Sequence, residues 1–288
     1  MPIRININGS ITPPEEARIP VLDHGFLFGD SIYEALRTYD HKPFLFSRHY
    51  ARLERSARGV ALDLPCTREE ARDQVRRTEE AAANPGESRI RLIVTRGVGE
   101  LKPFTQTCTD PSTVIIVSPL DAVPASIYTK GVDVVISSFK RGGQFSGVKT
   151  GSLIQQVLAY REANAANAYE AILTTPEGHL SDGITSNVYM VRAGKILTPS
   201  REANILEGIT RGVVLELARN MGLEVVEGMF EPEEIRHAEE MFLTSTAREI
   251  VPIVRVDGKD VGIGQPGPVT LRLLAAYRAA VRRLIEED

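Results

Sequence analysis

Two β-branched runs, RIRLIVTRG at residues 89–97 and TVIIVSP at 113–119, lead straight into the stretch PLDAVPASIYTKG, residues 119–131. That punctuation divides the chain. Val, Ile and Thr favour the pleated strand, and both runs are bounded by Gly or Pro. The stretch that follows has Pro119 and Pro124, with Pro111 just upstream, and only weak periodicity. It reads as a linker. The expected bounds are a first domain over residues 1–118, the linker over 119–131 and a second domain over 132–288.

Within the first domain the early segments RININGS, RIPVLD, SIYEALRTY and FLF read as short strands, with DHKP as a turn. Ser47 is placed to cap a helix that runs through Arg58 and stops at Gly59. TREE at 67–70 has the spacing of a capping box and opens a helix to about Asn84. The second domain mixes its patterns in the same way. A strand is expected at 132–137, a helix at about 152–166, strands at AILTT and NVYMVR, and a helix after GIT that ends at Asn220 before Gly222. Strands LEVVEG and EMFLTS, the hairpin VDGK and a final helix from about Val269 complete it. There is no regular βαβ rhythm, so the fold class is α/β in the mixed, α+β sense.

Composition narrows the function. The 34 basic and 38 acidic residues leave a net charge near −4. A chain so balanced lacks the basic excess that neutralises phosphates, so nucleic acid is not an expected partner. Cys66 and Cys108 are too few for a disulfide framework, which suits a reducing compartment. MPIRININGS has no apolar core of a signal segment, and no later run approaches a membrane span. The reading is a cytoplasmic protein with no membrane partner.

Two apparent motifs are set aside. GIGQPG, 262–267, matches GxGxxG but carries Pro266 and lacks the strand that a dinucleotide fingerprint needs. The five histidines show no HxxxH or HExxH spacing, so no metal is expected.

Lysine is scarce, 7 against 27 arginines, and each one's setting can be inspected. Lys42, Lys102, Lys130, Lys195 and Lys259 touch turn signals, and Lys140 precedes RGG in a polar stretch. Lys149 differs: in FSGVKTGSLIQQVLA small residues flank it and a helical pattern begins just after. Such a setting lets a ligand approach the amine, although an ordinary loop lysine has the same surroundings. Anion-binding features lie elsewhere. Gly208, Ile209 and Thr210 open a helix whose free N–H groups suit a phosphate. Arg52 in HYARLERSA can fork onto an anion, and Ser245 and Thr246 offer hydroxyls.

DHGFLFGDSIYEALR, HYARL, VKTGS, GITSN, LEGITR and MFLTSTAREIVPI, in that order, resemble the motif series of class IV (fold type IV) pyridoxal-phosphate aminotransferases, the branched-chain and D-amino-acid aminotransferase superfamily. The resemblance covers nearly the whole chain. It implies a small N-terminal α/β domain and a larger C-terminal one, with pyridoxal 5′-phosphate between them, usually in a homodimer. It also implies that Lys149 forms the imine with the cofactor. The substrate amine then displaces Lys149, and the freed lysine moves a proton between Cα and C4′. A 2-oxo acid and pyridoxamine phosphate result, and a second oxo acid reverses the sequence. By the same matching Arg52, Ile209, Thr210 and Thr246 hold the phosphate, beside Gly208 and Ser245 from the residue reading, and Leu206 packs on the ring. The family's carboxylate for the pyridine nitrogen, usually Glu, lies five residues before the Asn of its motif. Counting back from Asn187 gives Asp182, in a stretch where Asp followed by Gly also favours a turn.

Substrate contacts follow the family less closely. Phe28 stands where branched-chain enzymes usually have tyrosine, and Ile154 replaces another. Tyr33 matches a tyrosine of D-amino-acid transaminases, whose Arg-x-His carboxylate trap is here Leu101, Lys102, Pro103. Ala247 is placed with the substrate contacts beside Thr246. Arg37, Arg89, Arg91, Arg96 and Lys102 remain for a carboxylate. Arg89 and Arg91 share one face of their strand, either as a cationic wall or as an outward face paired with acids. The leading expectation is transfer from an aliphatic, branched-chain amino acid to 2-oxoglutarate. A D-amino-acid or (R)-amine transaminase, an aminodeoxychorismate lyase and a catalytically silent scaffold follow.

Overall fold

The structure, a computed structural model, describes residues 3–288. The chain forms two compact units. Unit 1 holds the residues up to Asp121 with Val148–Ser152 and Val281–Asp288, and unit 2 holds Ala122–Gly147 and Leu153–Ala280.

Unit 1 runs β1 (Arg4–Ile7), β2 (Ser10–Thr12), α1 (His24–Phe28), β3 (Ser31–Tyr39), β4 (Lys42–Pro43), α2 (Phe46–Gly59), α3 (Arg68–Ala82), β5 (Ser88–Thr95) and β6 (Ser112–Pro119). Its sheet has the order β2-β1-β6-β5-β3-β4, with each pair antiparallel. Alternate residues of the strands, Ile32 and Leu36, Ile90 and Leu92, Ile115 and Val117, pack in one core with Phe46, Tyr50, Leu53 and Ala57 of α2 and Ala71 and Val75 of α3. Strand period two meets helix period 3.6 there, and each apolar set lies on one face. The Thr67–Glu70 capping box forms as read and opens α3.

Three local expectations fail. RIPVLD forms no strand, and the DHGFLF segment makes a short helix capped by Asp23, which accepts from the Gly25 amide. FLF is no strand either: Phe46 is already helical, because its ring belongs to the i, i+4, i+7 series of Tyr50 and Leu53. Ser47 therefore lies inside α2, which is entered through Leu45 in a left-handed conformation, φ 53°.

Unit 2 runs α4 (Ser126–Thr129), β7 (Val132–Lys140), α5 (Ile154–Ala165), β8 (Glu170–Thr174), β9 (Leu180–Gly183), β10 (Asn187–Arg192), β11 (Lys195–Pro199), α6 (Ile209–Asn220), β12 (Val225–Gly228), β13 (Glu240–Ser245), β14 (Glu249–Val256), β15 (Lys259–Asp260) and α7 (Pro268–Glu286). The last residues of α7 count with unit 1. The mixed sheet has the order β12-β11-β10-β13-β14-β7-β8-β9, with β15 beside β14. β7 lies parallel to both β14 and β8, and β11 parallel to β12. β8 and β9 are buried throughout, so they are covered on both faces.

Asp182 lies in a strand, not in a turn. Gly183 pairs with Ile172 of β8, and the turn comes one step later, closed by the Gly183 amide on the Ser186 carbonyl at 2.8 Å. The Asp-Gly turn signal is overridden by the ladder. Among the described residues no helix is long and apolar enough to cross a membrane.

Candidate active site

In unit 1, residues 149–151 are fastened to the start of β3 by a single antiparallel bridge and two backbone hydrogen bonds. Thr150 bridges to Ile32, the Tyr33 amide donates to the Lys149 carbonyl at 2.9 Å, and the Gly151 amide donates to the Ser31 carbonyl at 2.8 Å. Gly151 is required by that approach, because a Cβ there would lie 2.1 Å from Ser31 Oγ. The Lys149 amide donates to Ser56 Oγ on α2 at 3.2 Å. Its backbone is thus held on two sides, while its side chain is half-buried with Nζ 4.6 Å from the Tyr33 ring centroid. Arg91 Cζ lies 4.0 Å from the same ring. Tyr33 therefore carries two cations, an arrangement that its π-face favours.

On the other face of β3, Glu34 is fully buried and accepts from Arg52 Nε and Nη2 at 2.8 and 2.7 Å. Its other partner is His49 Nδ1 at 2.7 Å. Burial alone pushes the Glu34 pKa up, but Arg52 and His49 outweigh it and hold the carboxyl well below the usual range. Burial pushes His49 down, with Arg52 and Lys149 adding to that direction against Glu34. An ionised carboxylate only accepts, so the neutral imidazole carries its proton on Nδ1. Its Nε2 is a buried acceptor with no hydrogen-bond partner among the described residues. Sequence reading placed Arg52 on an anion but missed the buried Glu34 that fixes it.

The four arginines proposed for a carboxylate separate. The Arg96 guanidinium is committed to Asp30 and to the carbonyls of Val60 and Ala61, so it serves the fold. Arg37 and Arg89 are directly opposite in the β3/β5 ladder, and Arg91 stands opposite Ala35 on the same face as Tyr33. On the β6 side Arg89 faces Ser118 and Arg91 faces Ile116. No cross-strand neighbour is a carboxylate. Arg37 Nε donates to the Thr38 carbonyl at 3.3 Å and its guanidinium lies 3.9 Å from the Tyr39 ring centroid. Phe28 is 45% exposed and packs edge-on against His24.

In unit 2, Asp182 is 3% exposed. Its Oδ1 accepts from Asn187 Nδ2 at 2.7 Å and its Oδ2 from the Leu206 amide at 2.7 Å. Asn187 Nδ2 also donates to the Leu206 carbonyl at 2.8 Å, which ties β9, β10 and the loop before α6 into one unit. Burial pushes the Asp182 pKa up to about 6 against the opposing pull of Arg141 and these two donors. An ionised carboxylate has further acceptor capacity beyond two bonds.

Gly208 caps α6 with no side-chain hydrogen bond, and no acidic residue lies in the first turn. The amides of Ile209, Thr210 and Arg211 are the orphan donors of a helix start, aided by its partial positive charge. This donor set fits a phosphate, and the Asp182 carboxylate fits a protonated ring nitrogen. Ser245 Oγ accepts from Arg248 Nε at 3.0 Å, while Arg248 also reaches Glu170 at 2.6 Å and Thr185 at 2.7 Å. Thr246, Ala247 and Leu206 are half-buried.

The amino-transferase class IV family model matches residues 31–256. The chain belongs to this family. It is 34% identical over 276 residues, 96% of each chain, to a Methanocaldococcus jannaschii protein with a provisional branched-chain-amino-acid aminotransferase name. It is 30% identical to the D-alanine aminotransferase of Bacillus licheniformis over 279 residues, 97% of each chain. Among solved structures, the Escherichia coli branched-chain amino acid aminotransferase superposes with TM-score 0.91 at 28% identity, over 96% of this chain and 94% of that one. The T.th. branched-chain enzyme with pyridoxamine 5′-phosphate gives TM-score 0.91 at 30% identity, over 96% and 93%.

In this class IV aminotransferase Gly208 has a strict steric role. A Cβ there would lie 2.0 Å from Asn187 Oδ1. Gly208→Ala is expected to displace the amide that holds Asp182 and to cost about 1–3 kcal/mol of stability, as overpacking does. Thermal unfolding of the two proteins checks this, and an unchanged midpoint would show that Asn187 yields freely.

Proposed function

We propose that this class IV aminotransferase uses pyridoxal 5′-phosphate to move the amino group of an aliphatic, branched-chain L-amino acid to 2-oxoglutarate. The observation that carries the cofactor assignment is the uncapped α6 N-terminus, on the loop whose Leu206 amide also binds the buried Asp182. The solved T.th. relatives contain pyridoxamine 5′-phosphate and N-(5′-phosphopyridoxyl)-L-glutamate, which supports the same group here. When bound, it supplies an electron sink for the carbon that carries the amine.

The chain's own residues do the rest. Lys149 attaches the cofactor and, once released, holds and moves the proton at the substrate Cα. Asp182 keeps the proton on the ring nitrogen by stabilising the cationic form. The Ile209 and Thr210 amides with Gly208, Arg52, Ser245 and Thr246 orient the phosphate, and Leu206 covers the ring. Tyr33, Phe28 and Ala247 border the substrate. Arg37, Arg89 and Arg91, which share one face of β3 and β5, receive its carboxylate. Such forks suit a carboxylate better than an ammonium does.

The substrate class is tested by a donor panel of L-leucine, D-alanine and (R)-1-phenylethylamine with 2-oxoglutarate. L-Leucine is expected to turn over fastest. Faster turnover of D-alanine replaces this reading with the second one, D-amino-acid transamination. The relatives named as D-alanine aminotransferases, matched along nearly the whole chain, favour that alternative. We also read the protein as a cytoplasmic homodimer. Its two cysteines are free thiols. Leu22, Phe26, Phe28 and Val98 of unit 1 are exposed, as an apolar contact face is in a separated subunit. A monomeric mass in sedimentation at working concentration would refute the dimer.

A further inference from the structure

Arg141 follows β7 directly, and its side chain is 12% exposed. Its Nη2 lies 3.9 Å from Asp182 Oδ2. The same guanidinium donates from Nε to the Asn204 carbonyl at 2.8 Å and from Nη2 to the Ser146 carbonyl at 3.1 Å. Ser146 Oγ bonds Asn204 Oδ1 and the Gly143 carbonyl, each at 2.9 Å. Asn204 is left-handed, φ 59°, and two residues later the Leu206 amide reaches Asp182. One arginine thus joins residues 141–146, residues 204–206 and the buried carboxylate.

We propose that Arg141 is a positioning residue for Asp182: it keeps that carboxylate ionised, ready for the ring nitrogen, and fastens around it the two loops that frame it. This rests on the cofactor assignment above. The groups that face Asp182 are Arg141, the Asn187 amide, the Leu206 N–H, Arg211 of α6 and Tyr189 of β10. Arg211 is already paired, through Nη2, with Glu227 at 2.8 Å and with the Pro199 carbonyl at 3.1 Å. Among the described residues Arg141 has Asp182 as its sole carboxylate. Its charge is therefore the largest single influence opposing the burial of Asp182, ahead of the Leu206 and Asn187 donors and of Arg211.

The direction of the effect follows from charge. Burial lifts Asp182 to about 6 with Arg141 in place. Removing a neighbouring guanidinium raises a carboxyl by roughly 1–3 pH units. At neutral pH the carboxyl would then be protonated, and it must lose that proton before it can pair with a protonated ring nitrogen. Affinity therefore falls about tenfold per pH unit below the new midpoint. A role in packing alone would weaken binding by the same factor at every pH.

The test measures the dissociation constant of pyridoxamine 5′-phosphate for the full chain between about pH 6.5 and 8.5, a window just above the present Asp182 midpoint. Wild type is compared with Arg141→Gln, Arg141→Met and Arg141→Lys. Taking the ratio to wild type cancels the ligand's own ionisations. For Gln and Met the ratio is expected to grow at least about threefold as pH falls across that window, and more than about tenfold for a rise of roughly two units or more. For Lys, which keeps the charge without the fork, it stays level. Met fills the volume of the arginine stem if the Gln variant does not fold. A level ratio in either soluble uncharged variant, with wild type binding normally, overturns the role of Arg141 alone. A wild-type chain that binds no pyridoxamine 5′-phosphate at any pH removes the cofactor reading and this proposal with it.

Discussion

Lys149→Ala is expected to lower transamination by roughly 10⁴-fold or more, since it removes the attacking amine and the proton carrier together. The fold should tolerate the change. The Lys149 backbone is held through its carbonyl, its amide and the Thr150 bridge, none of which needs the side chain. The protein should therefore remain soluble and melt close to wild type, yet yield no borohydride-stable adduct with the cofactor. A reducible adduct in this variant would place the attachment on another lysine. Loss of solubility instead would show that the Tyr33 ring needs the Lys149 stem for packing.

Asp182→Asn carries the second large effect, and it acts in two directions. A neutral amide cannot favour the protonated ring nitrogen, so the half-reaction with an amino donor should slow about a hundredfold or more. Cofactor-free stability, measured against wild type, should climb with pH, on top of a fixed loss because the Asn side-chain NH2 faces either the Asn187 or the Leu206 donor. The folded pKa of Asp182, about 6, stands above its ordinary 3.8. The native state thus binds the proton more tightly than the unfolded chain does. Its contribution is intact below the unfolded value, is lost as pH rises through about 6, and costs about 3 kcal/mol above that. Asn has no such proton to lose, so its stability relative to wild type should rise by about 3 kcal/mol between about pH 4 and 6 and stay level above that. Urea midpoints of both cofactor-free proteins across that window give the answer. A midpoint difference independent of pH would mean that Asp182 titrates as it does in water.

Much of this architecture was legible in residue patterns, where local rules and tertiary packing agree. The Thr67–Glu70 box, the α6 start at Ile209 and the β5 and β6 runs each form within a residue or two of expectation. The pattern misled where one apolar run fits two periods, as at Phe44–Phe46, or where a ladder overrides a turn, as at Asp182. Glu34 left a trace that could have been used: it shares the strand phase of Ile32 and Leu36, so an acid was aimed at the core. His49, Arg52 and Ser56 repeat at helical spacing opposite it, which marks a buried polar stripe. Arg141 left none. A basic residue after a strand looks like any solvated loop end, and only the chain path to Asn204 reveals its purpose.

Unit 1 is not finished when its first 121 residues are made. It also counts residues 148–152, where Thr150 bridges to Ile32 of β3, and Val281–Asp288, where Asp288 accepts from the Ser47 amide at 2.9 Å. During synthesis the nascent β3 must wait for the Thr150 bridge, and α2 for a partner made some 240 residues after Ser47. Domains usually fold in order as they emerge. Here the order is broken, and the segment that carries Lys149 reaches unit 1 only after unit 2 has begun to leave the ribosome.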